Sequence, residues 1–180
     1  GRAKAPIQSH DGAFEQVGRL LRSGDLFDIS QESEQDFVRY GESKLGRDCI
    51  LARRLLESGV RVVQVLNGTN EQGEGVGNWD GHKYLTKQYA VHSEIFDQPA
   101  AALLVDLKQR GMLEDTLVLW CTEFGRMPMF QQGASGRDHN PNGFTIWLAG
   151  AGVKTPFSYG ATDEFGYKAV ENISSVHDLY

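Results

Sequence analysis

Cysteine is scarce in this chain: there are two, Cys49 and Cys121, in 180 residues. Two thiols so placed make neither a disulfide framework nor a zinc knuckle, and they read as small buried apolar side chains. The redox compartment is therefore not legible from them. Long apolar runs are also missing. None approaches the roughly 20 residues that cross a bilayer, and the opening GRAKAPIQSH lacks the apolar centre of a secretory signal. A transmembrane segment within these residues is excluded. Basic tracts are missing too, with 18 Lys and Arg against 24 Asp and Glu and a net charge of -6. That balance argues against nucleic acid and anionic membrane surfaces as the main partner. An anionic substrate would need a local cation. Finally, the glycine-rich stretch after Leu66 has neither dinucleotide-binding nor Walker spacing, so it reads as a flexible surface loop rather than a phosphate cradle.

What is present is organised around Ala100 to Arg126. Leu103, Leu104 and Leu107 repeat at helical spacing, Lys108 and Arg110 fall in the last turn, and Gly111 follows as a left-handed stop. Thr116 to Cys121 (TLVLWC) is then a continuous apolar, β-rich run, which predicts an interior parallel strand covered on both faces. In open α/β sheets ligands bind beyond the carboxyl ends of strands, and Glu123 and Arg126 fall there. With 40% hydrophobic residues the chain can bury a sizeable core, and the length suits one domain or a large fragment of one.

Residues 1–40 read as a peripheral helical segment and 41–180 as the main α/β domain. Asp11 is placed to cap a first helix bearing Phe14, Val17 and Leu21. Ser30 or Ser33 opens an acidic helix towards Tyr40, closed by Gly41, and Arg47 to Ser58 predicts a stronger helix closed by Gly59. Val60 to Leu66 (VRVVQVL) predicts a core strand. Lys83 to Arg110 reads as mostly helical, with Leu85, Tyr89, His92 and Phe96 on one stripe and a kink or fresh start at Pro99. His92 reads as a packed side chain rather than a ligand. Phe144 to Leu148 predicts a third strand, and Asp163 to Tyr167 an acidic, aromatic structural loop. The chain closes on Ser174 to Tyr180, the capped start of a helix without its body, which leads us to expect a fragment.

Two loops concentrate the chemistry. Asp80 and His82, two apart, offer a carboxylate oxygen and an imidazole nitrogen to one metal; equally, Asp80 suits a helix-capping turn. Arg137, Asp138 and His139 are consecutive, and such a trio is costly to pack unless it faces solvent, a metal or one another.

The segments LARRLLESGVRVVQV, NWDGH, FDQPAAALLVDLKQRGMLEDTLVLWCTEFGRMP, GRDHNPNGFTIWLAGAGVK and YGATDEFGYKAVENISSVHDL together resemble the carboxyl-terminal half of a bacterial family, domain of unknown function 1501. That family is sulfatase-like, within the alkaline phosphatase superfamily. The resemblance implies a three-layer α/β/α sandwich with a mostly parallel sheet. It further implies a two-metal hydrolase of phosphate or sulfate esters acting on a small molecule or polysaccharide, with zinc, manganese, calcium or a similar divalent ion. By the order of motifs in the superfamily, Asp80, His82, Glu123 and His139 would be ligands and Asp138 a ligand or an orienter of one. Arg126 and Arg137 stand as anion contacts, although pairing with Glu123 or Asp138 is an equal alternative. The nucleophile and a further metal-binding Asp would lie in an amino-terminal half outside these residues, leaving the fragment alone inactive. Relatives are commonly exported. One residue departs from the pattern: Phe124 stands where relatives carry a histidine ligand, and a phenyl ring coordinates nothing. The alternative is thus a non-catalytic binding or scaffold module that has lost part of its metal site.

Overall fold

A computed structural model of the chain describes residues 24–67 and 79–179, with Gly12, Phe14, Glu15, Val17 and Gly18. The expected first helix, capped by Asp11 and carrying Leu21, lies largely outside the described residues, as does most of the glycine-rich loop. The chain divides into two compact units, Gly1–Leu66 and Asn67–Tyr180.

The first unit is helical. A short turn, α1 (Gly24–Phe27), leads through a 3-10 turn (Ile29–Gln31) to α2 (Glu34–Tyr40) and α3 (Lys44–Glu57). Both longer helices start where a serine hydroxyl replaces a missing intrahelical acceptor. Ser33 accepts from Asp36 N at 3.1 Å and Ser43 from Gly46 N at 3.1 Å. Tyr40, Leu45, Cys49, Ile50 and Ala52 form the buried apolar face. Burial, reinforced by the charge of Asp48, pushes the Cys49 thiol up to about 12, so it stays a neutral, unreactive apolar group. Cys121, by contrast, is exposed. Charged groups lash the first turns to α3. Glu32 takes both Arg53 and Arg54, and Arg54 also donates to the carbonyl oxygens of Leu26 and Asp25.

Val60 to Leu66 is irregular, with a bend at Arg61 and no ladder partner among the described residues, and Val62 and Leu66 are exposed. The predicted strand is therefore corrected: β-branched residues favour extended backbone, but a strand also needs a neighbour's N–H and C=O groups.

In the second unit a single long helix, α4 (Leu85–Gln109), runs through Pro99 without interruption. Its buried side is Gln88, His92, Pro99, Ala102, Asp106 and Leu107; of the expected stripe only His92 is buried, Leu85 and Phe96 are half-buried, and Tyr89 is exposed. Gly111, at φ 70°, stops the helix with its N–H on Lys108 O, while Met112 N reaches back to Leu107 O at 2.8 Å. The chain then forms β1 (Val118–Trp120), β2 (Gly125–Arg126), β3 (His139–Asn140), β4 (Trp147–Ala149), β5 (Ala161–Thr162) and β6 (Ala169–Glu171). They pair β1 with β4, β2 with β3 and β5 with β6, every pair antiparallel.

This overturns the expected three-layer sandwich with a parallel sheet. Among the described residues there are four helices and only short two-stranded antiparallel sheets. The reason lies in TLVLWC. A continuous apolar run suits burial on both faces, yet Leu117 and Leu119 remain exposed while Trp120 stacks on Trp147 with ring planes 9° apart. The run is covered on one side only, and its one partner among the described residues, β4, is antiparallel.

Candidate metal centre

Asp80 and His82 sit on the turn that leads into α4, where Gly81 N donates to Trp79 O at 2.8 Å and His82 N to Asp80 O at 2.9 Å. The loop 131–138 folds over this turn. Arg137 N donates to Gly81 O at 2.8 Å, and Tyr84 N to the Ser135 hydroxyl at 2.9 Å. Between them is Gly136, where a methyl group would lie 2.0 Å from Gly81 O and 2.3 Å from the His82 carbonyl carbon. Only hydrogen fits there. The β2–β3 ladder then sets Arg126 opposite His139, and Met127 N bonds Asp138 O at 2.9 Å. Two loops far apart in sequence are thus held against each other.

The outcome is a cluster of Asp80, His82 and His139 whose ligand-type atoms all lie within 4.8 Å of one another. Asp80 Oδ1 is 3.1 Å from Nε2 of each histidine, and the two Nε2 atoms are 2.9 Å apart. Arg126 pairs with the same carboxylate oxygen and also donates to Arg137 O at 3.2 Å. The Arg126 guanidinium, with help from His139, holds the Asp80 carboxyl below the usual carboxylate range despite some desolvation. Asp80 is therefore ionised at neutral pH. The cluster is open, with the Asp80 side chain 54% and that of His139 42% exposed. Two imidazole nitrogens and a carboxylate oxygen, partly accessible, are a donor set that zinc, manganese or ferrous iron accepts.

The other candidates fall around this cluster. Phe124 packs its ring on that of His139, centroids 4.3 Å apart, and so braces a histidine instead of replacing one. Glu123 is exposed and is not brought into the cluster. Asp138 accepts from His139 N at 2.8 Å and lies 4.0 Å from His82 Nδ1, the ring nitrogen facing away from Asp80. Arg126 is committed to Asp80. Arg137 is half-buried, and its Nε is buried without a hydrogen-bond partner among the described residues. Two contributors escaped the sequence reading. Gln131 Oε1 meets His82 Nδ1 at 2.7 Å, and the fully buried Asn140 joins Gly166 O and Asn142 N, anchoring the strand that carries His139. An amide beside a candidate loop was the only signal for either.

Fold and site together define a helix-and-hairpin protein with an exposed Asp-His-His cluster. The family described as protein of unknown function (DUF1501) matches residues 1–180, and the chain belongs to it. No curated protein and no solved structure matches the chain.

Proposed function

We propose that this chain carries the metal-holding part of a divalent-metal-dependent hydrolase of phosphate or sulfate esters, sulfatase-like and related to the alkaline phosphatases. The observation that carries the reading is the convergence of Asp80, His82 and His139, with ligand atoms within 4.8 Å. Their chemistry favours zinc, manganese or ferrous iron over calcium, which prefers oxygen alone. A metal bound there would supply charge stabilisation to an ester oxygen. The chain's own residues do the rest. Arg126 keeps Asp80 ionised and oriented, and Phe124 fixes the plane of the His139 ring. Arg137, half-buried beside the cluster, is the guanidinium assigned to a substrate anion, through its terminal nitrogens rather than its buried Nε. Glu123 and Asp138 are the carboxylates available to a second ion, but neither belongs to the three-residue cluster, so one metal is the first expectation.

A second reading, a non-catalytic binding or scaffold module, is favoured by Phe124, an apolar ring packed on His139 at the position where the sulfatase-like resemblance implies a ligand. Transition-metal content of protein purified without chelator, beside its His139→Ala form, separates these readings when combined with 4-nitrophenyl phosphate and 4-nitrophenyl sulfate assays. The hydrolase reading expects about one equivalent of metal, lost in the variant, and metal-dependent turnover. Metal without turnover of either ester supports the scaffold. If zinc and manganese both fail to bind, the metal centre itself is wrong.

A further inference from the structure

A ligating histidine must offer a lone pair, and its other nitrogen decides which one it offers. At His82 that other nitrogen is Nδ1, 2.7 Å from the side-chain oxygen of Gln131. A carbonyl oxygen only accepts, so the contact requires a proton on Nδ1 and leaves the lone pair on Nε2. Nε2 is the atom that faces the cluster, 2.9 Å from His139 Nε2 and 3.1 Å from Asp80 Oδ1. One proton on His139 Nε2 then satisfies the group without a metal, because it can be shared between the His82 lone pair and the Asp80 oxygen, 3.1 Å away. With the Gln131 oxygen facing Nδ1 the pattern closes in this way, whereas a turned amide would donate its NH2 to Nδ1 and put the proton on Nε2.

We propose that Gln131 is a positioning residue that sets the tautomer of His82 and so presents its Nε2 to a divalent transition metal. The inference deepens the metal-centre reading and rests on it for the metal, but not for the tautomer. Gln131 is itself held. Its N–H donates to Gly136 O at 2.9 Å and its carbonyl accepts from Ala134 N at 3.1 Å, in the same loop that grips Gly81 through Arg137 N. Those are backbone bonds, so replacing the side chain leaves the loop's own ties in place. Asp138, the other acceptor near Nδ1, is 4.0 Å away, beyond hydrogen-bond range, and is occupied by His139 N.

The test is nitrogen NMR of the histidine rings in the metal-free protein, with the His82 signals assigned by their loss in His82→Asn, followed by zinc titration at one fixed pH. Wild-type protein is expected to show His82 protonated on Nδ1. Gln131→Leu should move that proton to Nε2 and weaken zinc binding about 10- to 100-fold, while Gln131→Glu, which keeps an acceptor, should restore both. A wild-type His82 protonated on Nε2 overturns the proposal whether or not zinc binds. So does Gln131→Leu binding zinc as tightly as wild type, or Gln131→Leu and Gln131→Glu weakening it equally. Should Gln131→Leu fail to fold, the wild-type tautomer and the Gln131→Glu affinity still decide. Absence of zinc binding by wild type, with His82 protonated on Nδ1, removes the metal-centre reading but leaves Gln131's hold on the tautomer standing.

Discussion

Each unit of this protein sets a carboxylate against a guanidinium, and the two pairs do opposite things. In the first unit Glu32 is enclosed, its side chain 8% exposed, with one oxygen on Arg53 and the other on Arg54. Burial pushes its carboxyl up, but the two guanidinium hydrogen bonds outweigh that and leave it below its ordinary value. In the second unit Asp80 pairs with Arg126 while 54% exposed, and the same oxygen still faces two imidazoles. Glu32 is closed off from solvent with an arginine on each oxygen and braces helices; Asp80 keeps access to solvent and to other donors. Burial and saturation, more than the identity of the pair, separate a structural ion pair from a candidate site.

The comparison can be broken most sharply at Glu32. Glu32→Ala leaves the buried Arg53 with Glu57 as its carboxylate and takes the carboxylate from Arg54, so it should destabilise the helical unit by about 3 kcal/mol. Native-state hydrogen exchange of α3 amides reads this directly, and a change within error would mean the pair is not a brace. Gly136→Ala should come next. A methyl group 2.0 Å from Gly81 O forces the two loops apart. Overpacking of that kind costs about 1–3 kcal/mol, here felt as a loss of zinc affinity of about 10- to 100-fold, with exchange in α3 unchanged. Asp80→Ala sharpens the contrast from the other side: it should abolish metal binding yet alter stability by about 1 kcal/mol or less, because an exposed pair contributes little. Thermal melting with and without zinc checks both halves.

Acid separates the pairs as well. Glu32 has a depressed pKa, so its contribution is fully present above the ordinary carboxylate range and is lost as pH falls through the lowered value. Exchange protection of α3 should therefore decline below about pH 4, and in Glu32→Gln that particular decline should be absent. The smallest effect is expected at Phe124→Ala. Losing one ring contact on His139 is worth about 1 kcal/mol, or a few-fold in zinc affinity. A gain in affinity would show that Phe124 obstructs the site instead of bracing His139.

Much of the local structure could be read from residue types. Ser33 announces a helix start because a hydroxyl can replace an absent carbonyl, and Gly111 a stop because it accepts a positive φ; the start at Ser43, three residues before the expected Arg47, was missed. Asp80, His82 and His139 stand out since few side chains offer a metal a lone pair. The sheet was not legible. TLVLWC and VRVVQVL carry the β-branched, apolar composition of buried strands, but composition does not say which backbone will lie alongside. One acquired an antiparallel neighbour on a half-exposed face; the other has none among the described residues. Gln131 and Gly136 were silent for the same reason, as an amide and a glycine in a polar loop.

Residue types alone marked the helix start at Ser33, the stops at Gly41, Gly59 and Gly111, and which side chains offer lone pairs, since caps, turns and lone pairs are properties of one residue and its near neighbours. Only the tertiary structure decided strand pairing and the meeting of residues 79–82 with 131–139. It also decided that Gln131 faces Nδ1 of His82, because each depends on a distance between segments that are remote along the chain.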